Sequence, residues 1–394
     1  MTREVVFVGA ARTAIGSFGG SLKDVPPADL GALVIKTALE RAGVAPKEVG
    51  HVVVGHVIPS VPQDAYISRV AALNAGVPQE APAFNVNRLC GSGLQAIISA
   101  SQAILLGDCD IAIGGGAENM SRGPYASLSA RWGARMGDVK MLDYMLGALH
   151  DPRLHIHMGI TAENVAARYE ITREQQDAYA VQSQQRAAKA VAAGIFKDQI
   201  VPVEIKTRKG VVLFDTDEGV KADTSVDALG KMKPAFKKED GTVTAGNAST
   251  LNDGAGAVVM ASSEKAKELG LKPLARLVSY GHAGVEPEYM GIGPVPASRN
   301  ALAKAGLTVA DMDLIEANEA FAAQACAVAK ELGLDNEKVN PNGSGISLGH
   351  PVGGTGAILV TKAIYELQRT GGRYALITMC IGGGQGIAMV IERL

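Results

Sequence analysis

Cys90, His350 and Cys380 stand far apart in the chain, yet each sits in a glycine-dense segment: Leu89-Cys90-Gly91-Ser92-Gly93, Gly349-His350-Pro351-Val352-Gly353-Gly354 and Cys380-Ile381-Gly382-Gly383-Gly384. A thiol with an imidazole base makes an acyl-thioester enzyme, and a second thiol adds a group able to deprotonate carbon. Together they point to an acyltransferase that makes or breaks a carbon–carbon bond. Cys90 leads into a helical stretch with no acidic residue in its first turns, so the helix N-terminus is expected to depress its pKa; the plain alternative is a buried, inert cysteine. His350, between Gly349 and Pro351, cannot lie inside a regular helix and reads as a loop imidazole able to take the thiol proton. Cys380 follows the apolar run Leu376-Ile377-Thr378-Met379, at a strand's carboxyl end, where α/β folds place their ligands. The glycines from Gly382 expose backbone N–H donors suited to an oxyanion, each worth about 3 kcal/mol. A dinucleotide loop is the rival reading of Gly382 to Gly386, but the spacing is not G-x-G-x-x-G.

Asn318, in Glu316-Ala317-Asn318-Glu319-Ala320-Phe321, opens an apolar helical stretch running to Leu332, where its amide either caps the helix or orients a water. Cys109 and Cys326 are assigned to the core. Of the other histidines only His157, in His157-Met158-Gly159, has a suggestive setting.

The elements that must position these residues alternate between apolar strands and Ala-rich helices. Val52-Val53-Val54-Gly55 reads as a strand, Ser68 to Asn74 and Gly93 to Leu106 as helices, and Ile111-Ala112-Ile113 as another strand, a pattern of α/β class. The two halves echo each other. Ser92-Gly93 opens a helix that leads into Ile113-Gly114-Gly115-Gly116, and Thr355-Gly356 opens one from Ala357 to Gln368 that leads through the strand Tyr374 to Met379 into Ile381-Gly382-Gly383-Gly384. Two related half-domains follow from this. Residues 121–245 differ in character, with Trp132, several Met, a charged helix from Thr172 to Ala193 and a Lys/Asp-rich stretch from Lys206 to Asp240, and read as an inserted subdomain. Its runs Lys206-Thr207-Arg208-Lys209 and Lys237-Lys238-Glu239-Asp240 are expected to be solvated loops, with phosphate binding the minority reading.

Composition narrows the function. At 394 residues the chain is long enough for two or three domains. A net charge of −2 without basic blocks, with 4% aromatic residues, leaves no footprint for nucleic acid. Apolar residues reach 47%, yet no run approaches the ~18 that span a bilayer, so no membrane is expected. The run Met1-Thr2-Arg3-Glu4-Val5-Val6-Phe7-Val8-Gly9 reads as the approach to a first buried strand rather than a targeting segment, and a cytoplasmic enzyme is expected. Four cysteines without C-x-x-C pairs argue for free thiols and no metal.

At these residues the chain resembles the thiolase family nearly end to end. Beyond the segments above, Arg12-Thr13-Ala14-Ile15-Gly16, Asn87-Arg88-Leu89-Cys90, Gly114-Gly115-Gly116-Ala117-Glu118-Asn119-Met120, Thr161-Ala162-Glu163-Asn164, Asn247-Ala248-Ser249 and Met290-Gly291-Ile292-Gly293-Pro294 resemble family segments in the family's order, most closely those of bacterial β-ketothiolases that feed polyhydroxyalkanoate synthesis and accept acyl groups longer than acetyl. The resemblance implies an α/β thiolase fold of two duplicated half-domains in a layered helix-sheet-helix-sheet-helix core. It divides the chain into an N-terminal half at 1–270, with core 1–120 and 246–270 around a loop domain 121–245, and a C-terminal half at 271–394. It further implies a homotetramer of two tight dimers, coenzyme A thioesters as substrates and no permanently bound cofactor.

By the same resemblance, Cys90 carries the acyl group, His350 activates it and Cys380 moves the α-proton of the second acyl-CoA. Asn318, through a water, and His350 form one oxyanion hole; the amides of Cys90 and Gly382 form the other. His157, Met158, Ala245, Ala248, Ser249 and Leu251 lie along the pantetheine, with Ala320 and Phe321 near the thioester. Met290 joins Met158 and Phe321 as a wall of the acyl pocket. Lys221 stands where relatives often carry an arginine near the nucleotide phosphates, a point charge for a bidentate fork. Ser344 and Ser347 are departures near the base that either orient it or satisfy backbone groups. Two rivals remain. A decarboxylating ketoacyl synthase needs no second thiol, so Cys380 discriminates against it, and a catalytically silent acyl-CoA-binding protein has no use for a thiol pair.

Overall fold

The strand Val5–Arg12 is buried along its whole length, and its alternating side chains serve two different cores: Val6 and Val8 on one face, Val5 and Phe7 on the other. That double burial places it mid-sheet. In the computed structural model, which describes residues 3–394, it sits in a ten-stranded mixed sheet; Met1 and Thr2 of the run leading into it lie outside the described residues.

Across the sheet the order is Leu314–Ala317, Tyr374–Ile381, Gln385–Arg393, Ala275–Gly284, Val5–Arg12, Asn252–Ser262, Ile111–Asn119, His51–Gly55 and Ala83–Val86, with the short Gly16–Ser17 paired to the start of Asn252–Ser262. Ala275–Gly284 and Val5–Arg12 meet over only two residue pairs, Val6 with Arg276 and Phe7 with Ala275. Outward from that seam both sides repeat one pattern. The first strand of each side pairs antiparallel with its last, the last antiparallel with Ile111–Asn119 or Tyr374–Ile381, and that strand parallel with His51–Gly55 or Leu314–Ala317, the N-terminal side adding Ala83–Val86 at its edge.

Helices complete five layers. Pro27–Ala42 packs Leu30, Val34, Ile35 and Leu39 on one outer face, with Ile67–Asn74 beside it. Pro294–Ala305 sets Ala297, Ala301 and Leu302 on the other, against Leu376 and Val390. Between the two halves of the sheet lie Ser92–Leu106 and Val352–Thr370, whose Leu94, Ile97, Leu359 and Ile364 share a core with Phe7 and Val258 from one half and Ile377 and Ile391 from the other. These two helices touch backbone to backbone. A Cβ on Gly93 would stand 2.8 Å from the Ala357 nitrogen and 2.9 Å from the Gly353 oxygen, so glycine is what permits the approach. Ser92–Leu106 belongs to the window Leu89–Leu106, apolar and long enough to cross a membrane by composition, but here it fills the central layer.

Three expectations change. The helix of the second half begins at Val352, not Ala357, which brings Thr355 into its first turn. The glycine triplets are not equivalent: Gly114, Gly115 and Gly116 lie inside the strand Ile111–Asn119, whereas Gly382, Gly383 and Gly384 form the turn between two strands. The segment expected to loop from Lys206 instead closes a hairpin, Val203–Thr207 with Gly210–Phe214, its charged tip exposed; Lys237 to Asp240 is exposed as expected.

Candidate active site

A tight turn presents Cys90. Ser92 Oγ accepts from the Arg88 amide (2.8 Å) and donates to the Leu89 carbonyl (2.7 Å), and Leu89 takes a left-handed φ of 45°. The result sets Cys90 ahead of Gly91, the N-cap of the central helix. Cys90 keeps an edge open to a cavity of about 740 Å³, while its sulfur is otherwise enclosed. Burial pushes the thiol up to about 11, against the backbone N–H groups of Gly382 and of Cys90 itself, which favour the thiolate. The expected helix-end depression is therefore outweighed by desolvation.

His350 lies on a loop held from outside. Asn252 Oδ1 accepts from its backbone N–H at 2.8 Å, and Gly349 adopts a φ of 116° that lets the backbone pass Asn252, where a Cβ would come within 2.6 Å of the amide carbon. The ring is hydrogen-bonded on both nitrogens, Nδ1 with Thr355 Oγ1 at 2.6 Å and Nε2 with Asn318 Nδ2 at 3.4 Å. Burial alone draws its pKa down to about 4. Cys380, fully buried near the end of Tyr374–Ile381, is pushed up further than Cys90, by burial and by the neighbouring Cys90 sulfur. At rest the trio is uncharged.

The wall of the cavity gathers the other expected residues. Ser249 donates its N–H to the Ala320 carbonyl and Ala322 donates to the Asn247 carbonyl, so the 245–251 segment is clipped to the 320–322 segment. Met158, Ala248, Met290, Ala320 and Phe321 form one apolar cluster with Cys380. Twelve of the fifteen residues named from sequence line the cavity: Cys90, His157, Met158, Lys221, Ala245, Ala248, Ser249, Leu251, Met290, Ala320, Phe321 and His350. The other three stand one contact behind it: Asn318 on His350, Gly382 on the Cys90 sulfur, and Cys380 within the cluster that floors the cavity.

Several expectations are corrected here. Asn318 does not cap the following helix, which starts at Ala322 with Phe321 at the N-cap and no side-chain cap. Cys109 and Cys326 are half-buried at the margins of the core rather than within it. Ser344 and Ser347 bond the carbonyls of Ala317 and Ser344, and Ser347 also meets Ser183 Oγ, so neither bonds the imidazole.

Sequence reasoning missed three supports. Glu118, at the end of a glycine-rich strand, accepts from the amides of Val57, Ile58 and Gly353 and pairs with His56 at 3.1 Å. Burial disfavours charge on His56, but the Glu118 carboxylate prevails and raises its pKa to about 9. A lone acid in an apolar strand was the available signal. Phe236, in the Lys/Asp-rich stretch just before the charged run at Lys237, stacks on His157 at 4.7 Å between ring centres and meets Phe321 edge-on. Thr355 was read only as a helix opener.

A mixed α/β sheet with this duplicated order, and a cavity walled by Cys90 and His350, define a thiol acyltransferase of the thiolase type. Profiles of the thiolase N-terminal domain and the thiolase C-terminal domain match residues 5–264 and 271–393. The chain is 67% identical, over all of both chains, to the beta-ketothiolase BktB of Cupriavidus necator. Among solved structures, the Bacillus anthracis acetyl-CoA acetyltransferase superposes with a TM-score of 0.97 at 50% identity, covering 100% of this chain and 99% of that one. Human mitochondrial 3-ketoacyl-CoA thiolase in complex with CoA superposes at 0.96 and 45%, covering 100% and 98%. The chain belongs to the thiolase family. It is an acyltransferase of reversible acetyl-CoA condensation and thiolysis.

Proposed function

We propose that Cys90 is the acyl carrier and Cys380 the carbon acid–base in this cavity. Cys90 gives its proton to His350 Nε2 and attacks the thioester carbonyl of an acyl-CoA; the carbon–sulfur bond to CoA breaks and CoA leaves as the thiol with that proton. Acetyl-CoA enters, Cys380 passes its proton to His350 and its thiolate removes the α-proton, and the carbanion attacks the Cys90 thioester, from which the Cys90 sulfur departs and takes the proton back from His350. The new carbon–carbon bond forms as the Cys90–acyl bond breaks, releasing 3-ketoacyl-CoA. Thiolysis is the same sequence reversed. His350 with Asn318 serves one carbonyl oxygen and the amides of Cys90 and Gly382 the other. The observation that carries this reading is the convergence of Cys90 and His350 on one cavity, with the Gly382 amide on the Cys90 sulfur and that sulfur close enough to Cys380 to raise the second thiol's pKa.

In this reading the pantetheine runs past His157, Met158, Ala245, Ala248, Ser249 and Leu251 toward Ala320 and Phe321, Met290 walls the acyl pocket, and Lys221 on the rim meets the nucleotide phosphates. The substrates are CoA thioesters and no cofactor is held permanently. A cytoplasmic homotetramer, with the division at residues 270/271 and a loop domain at 121–245, completes the proposal. The name of the beta-ketothiolase relative supports β-ketothiolase activity, and a place in polyhydroxyalkanoate synthesis is part of the proposal. The test separates the half-reactions: Cys380→Ala is expected to retain acetylation of Cys90 by acetyl-CoA while condensation falls by roughly 10³-fold or more. Condensation without labelling would reverse the assignment.

A further inference from the structure

We propose that Thr355 is a positioning residue that fixes the proton of the resting imidazole on Nδ1, leaving the lone pair of Nε2 to take the Cys90 proton. The inference rests on the reading of Cys90 and His350 given above. A threonine hydroxyl has one hydrogen. Thr355 sits in the first turn of Val352–Thr370, and its Oγ1 lies 3.0 Å from the Pro351 carbonyl four residues back, the acceptor that helical threonines ordinarily use. With that hydrogen spent, Oγ1 meets Nδ1 at 2.6 Å only as an acceptor, so Nδ1 carries the hydrogen. On the opposite side of the ring Asn318 Nδ2 lies 3.4 Å from Nε2, a donor that an unprotonated Nε2 accepts.

When Nε2 takes the Cys90 proton, Nδ1–H keeps its acceptor in Thr355, so that side of the imidazolium stays paired. Thr355 thus does for this ring what a carboxylate does for the histidine of a serine hydrolase, without adding charge. Both ring nitrogens are committed to Thr355 and Asn318, and Asn252 holds the backbone. The titratable or charged side chains on the elements packed around the ring are Cys90, Cys380, the paired Glu118 and His56, the paired Glu316 and Lys362, and Glu319 beside Asn318.

Thr355→Val keeps the shape and removes the acceptor; Thr355→Ala removes it without adding bulk to the turn; Thr355→Ser restores it. We expect kcat for thiolysis to fall roughly 10- to 100-fold in Val and Ala, the factor that an unpaired buried N–H implies, and to recover in Ser. The pH profile of Cys90 alkylation by iodoacetamide is expected to move to higher pH in Val and Ala but not in Ser. The proposal is overturned if the folded Val or Ala variant alkylates with the wild-type profile, whatever its kcat, or if Ser fails as Val does. Failure of the underlying assignment would look different: Cys90→Ser would then retain turnover.

Discussion

In the proposed mechanism two thiols and one imidazole, uncharged at rest, divide the labour by where each proton can travel. Burial holds Cys90 up at about 11 and His350 down at about 4, so neither ionises alone in neutral solution. The proposal couples proton transfer between them to the arrival of a thioester carbonyl at the amides of Cys90 and Gly382. Because the imidazole pKa is depressed, the base stays free of solvent protons well below 6.5, and it is lost only as pH falls toward 4. The acid limb of the kcat/KM profile for thiolysis is therefore expected below the ordinary histidine range; a limb at 6.5 or above would contradict the desolvated base. Cys90, His350 and Cys380 were legible in sequence because reactive side chains within glycine-dense segments are chemically conspicuous. Thr355 and Phe236 were not. The one acts through a hydroxyl proton and the other through a stack on His157 from about eighty residues away, and spacing encodes neither.

At the scale of elements, two central helices carry the geometry: one starts just after Cys90, the other just after His350. Their contact sets the spacing of the segments that carry Cys90 and His350, since Gly93 lies against Gly353, Gly356 and Ala357, and Gly356 against Leu94. Gly356→Ala places a methyl in the Leu94 backbone and is expected to cost about 1–3 kcal/mol, read as a lower urea midpoint at unchanged slope, with turnover falling alongside. An unchanged midpoint would show that the helices can part freely. The helix and strand pattern was readable from apolar periodicity. Its boundaries were not, because Val352 to Gly354 are helical through tertiary packing against Glu118 and the strand glycines rather than through propensity, and glycine is a poor helix former.

At the scale of the molecule, duplication explains why the site lies between halves: each half contributes a helix and a neighbouring strand, and the reactive groups meet where the two copies face one another. The proposed insertion at 121–245 closes the cavity with Met158 and Phe236, beside the 245–251 clip. It also carries exposed apolar side chains, Leu128, Trp132 and Met136, 78–98% open in the isolated chain, in keeping with the proposed assembly. Sedimentation is expected at four times the 40.7 kDa protomer, shifting to smaller species in Trp132→Glu; a wild-type monomer would contradict it. The charge and apolar content of the segment marked it as different, but only the fold shows which of its residues turn inward. The most direct test of the whole account is peptide mapping by mass spectrometry after acid quench of the wild-type protein with labelled acetyl-CoA. The account predicts one acetyl group on the peptide containing Cys90, discharged by added CoA. A label on Cys380 instead, or no covalent label while thiolysis runs, would contradict it.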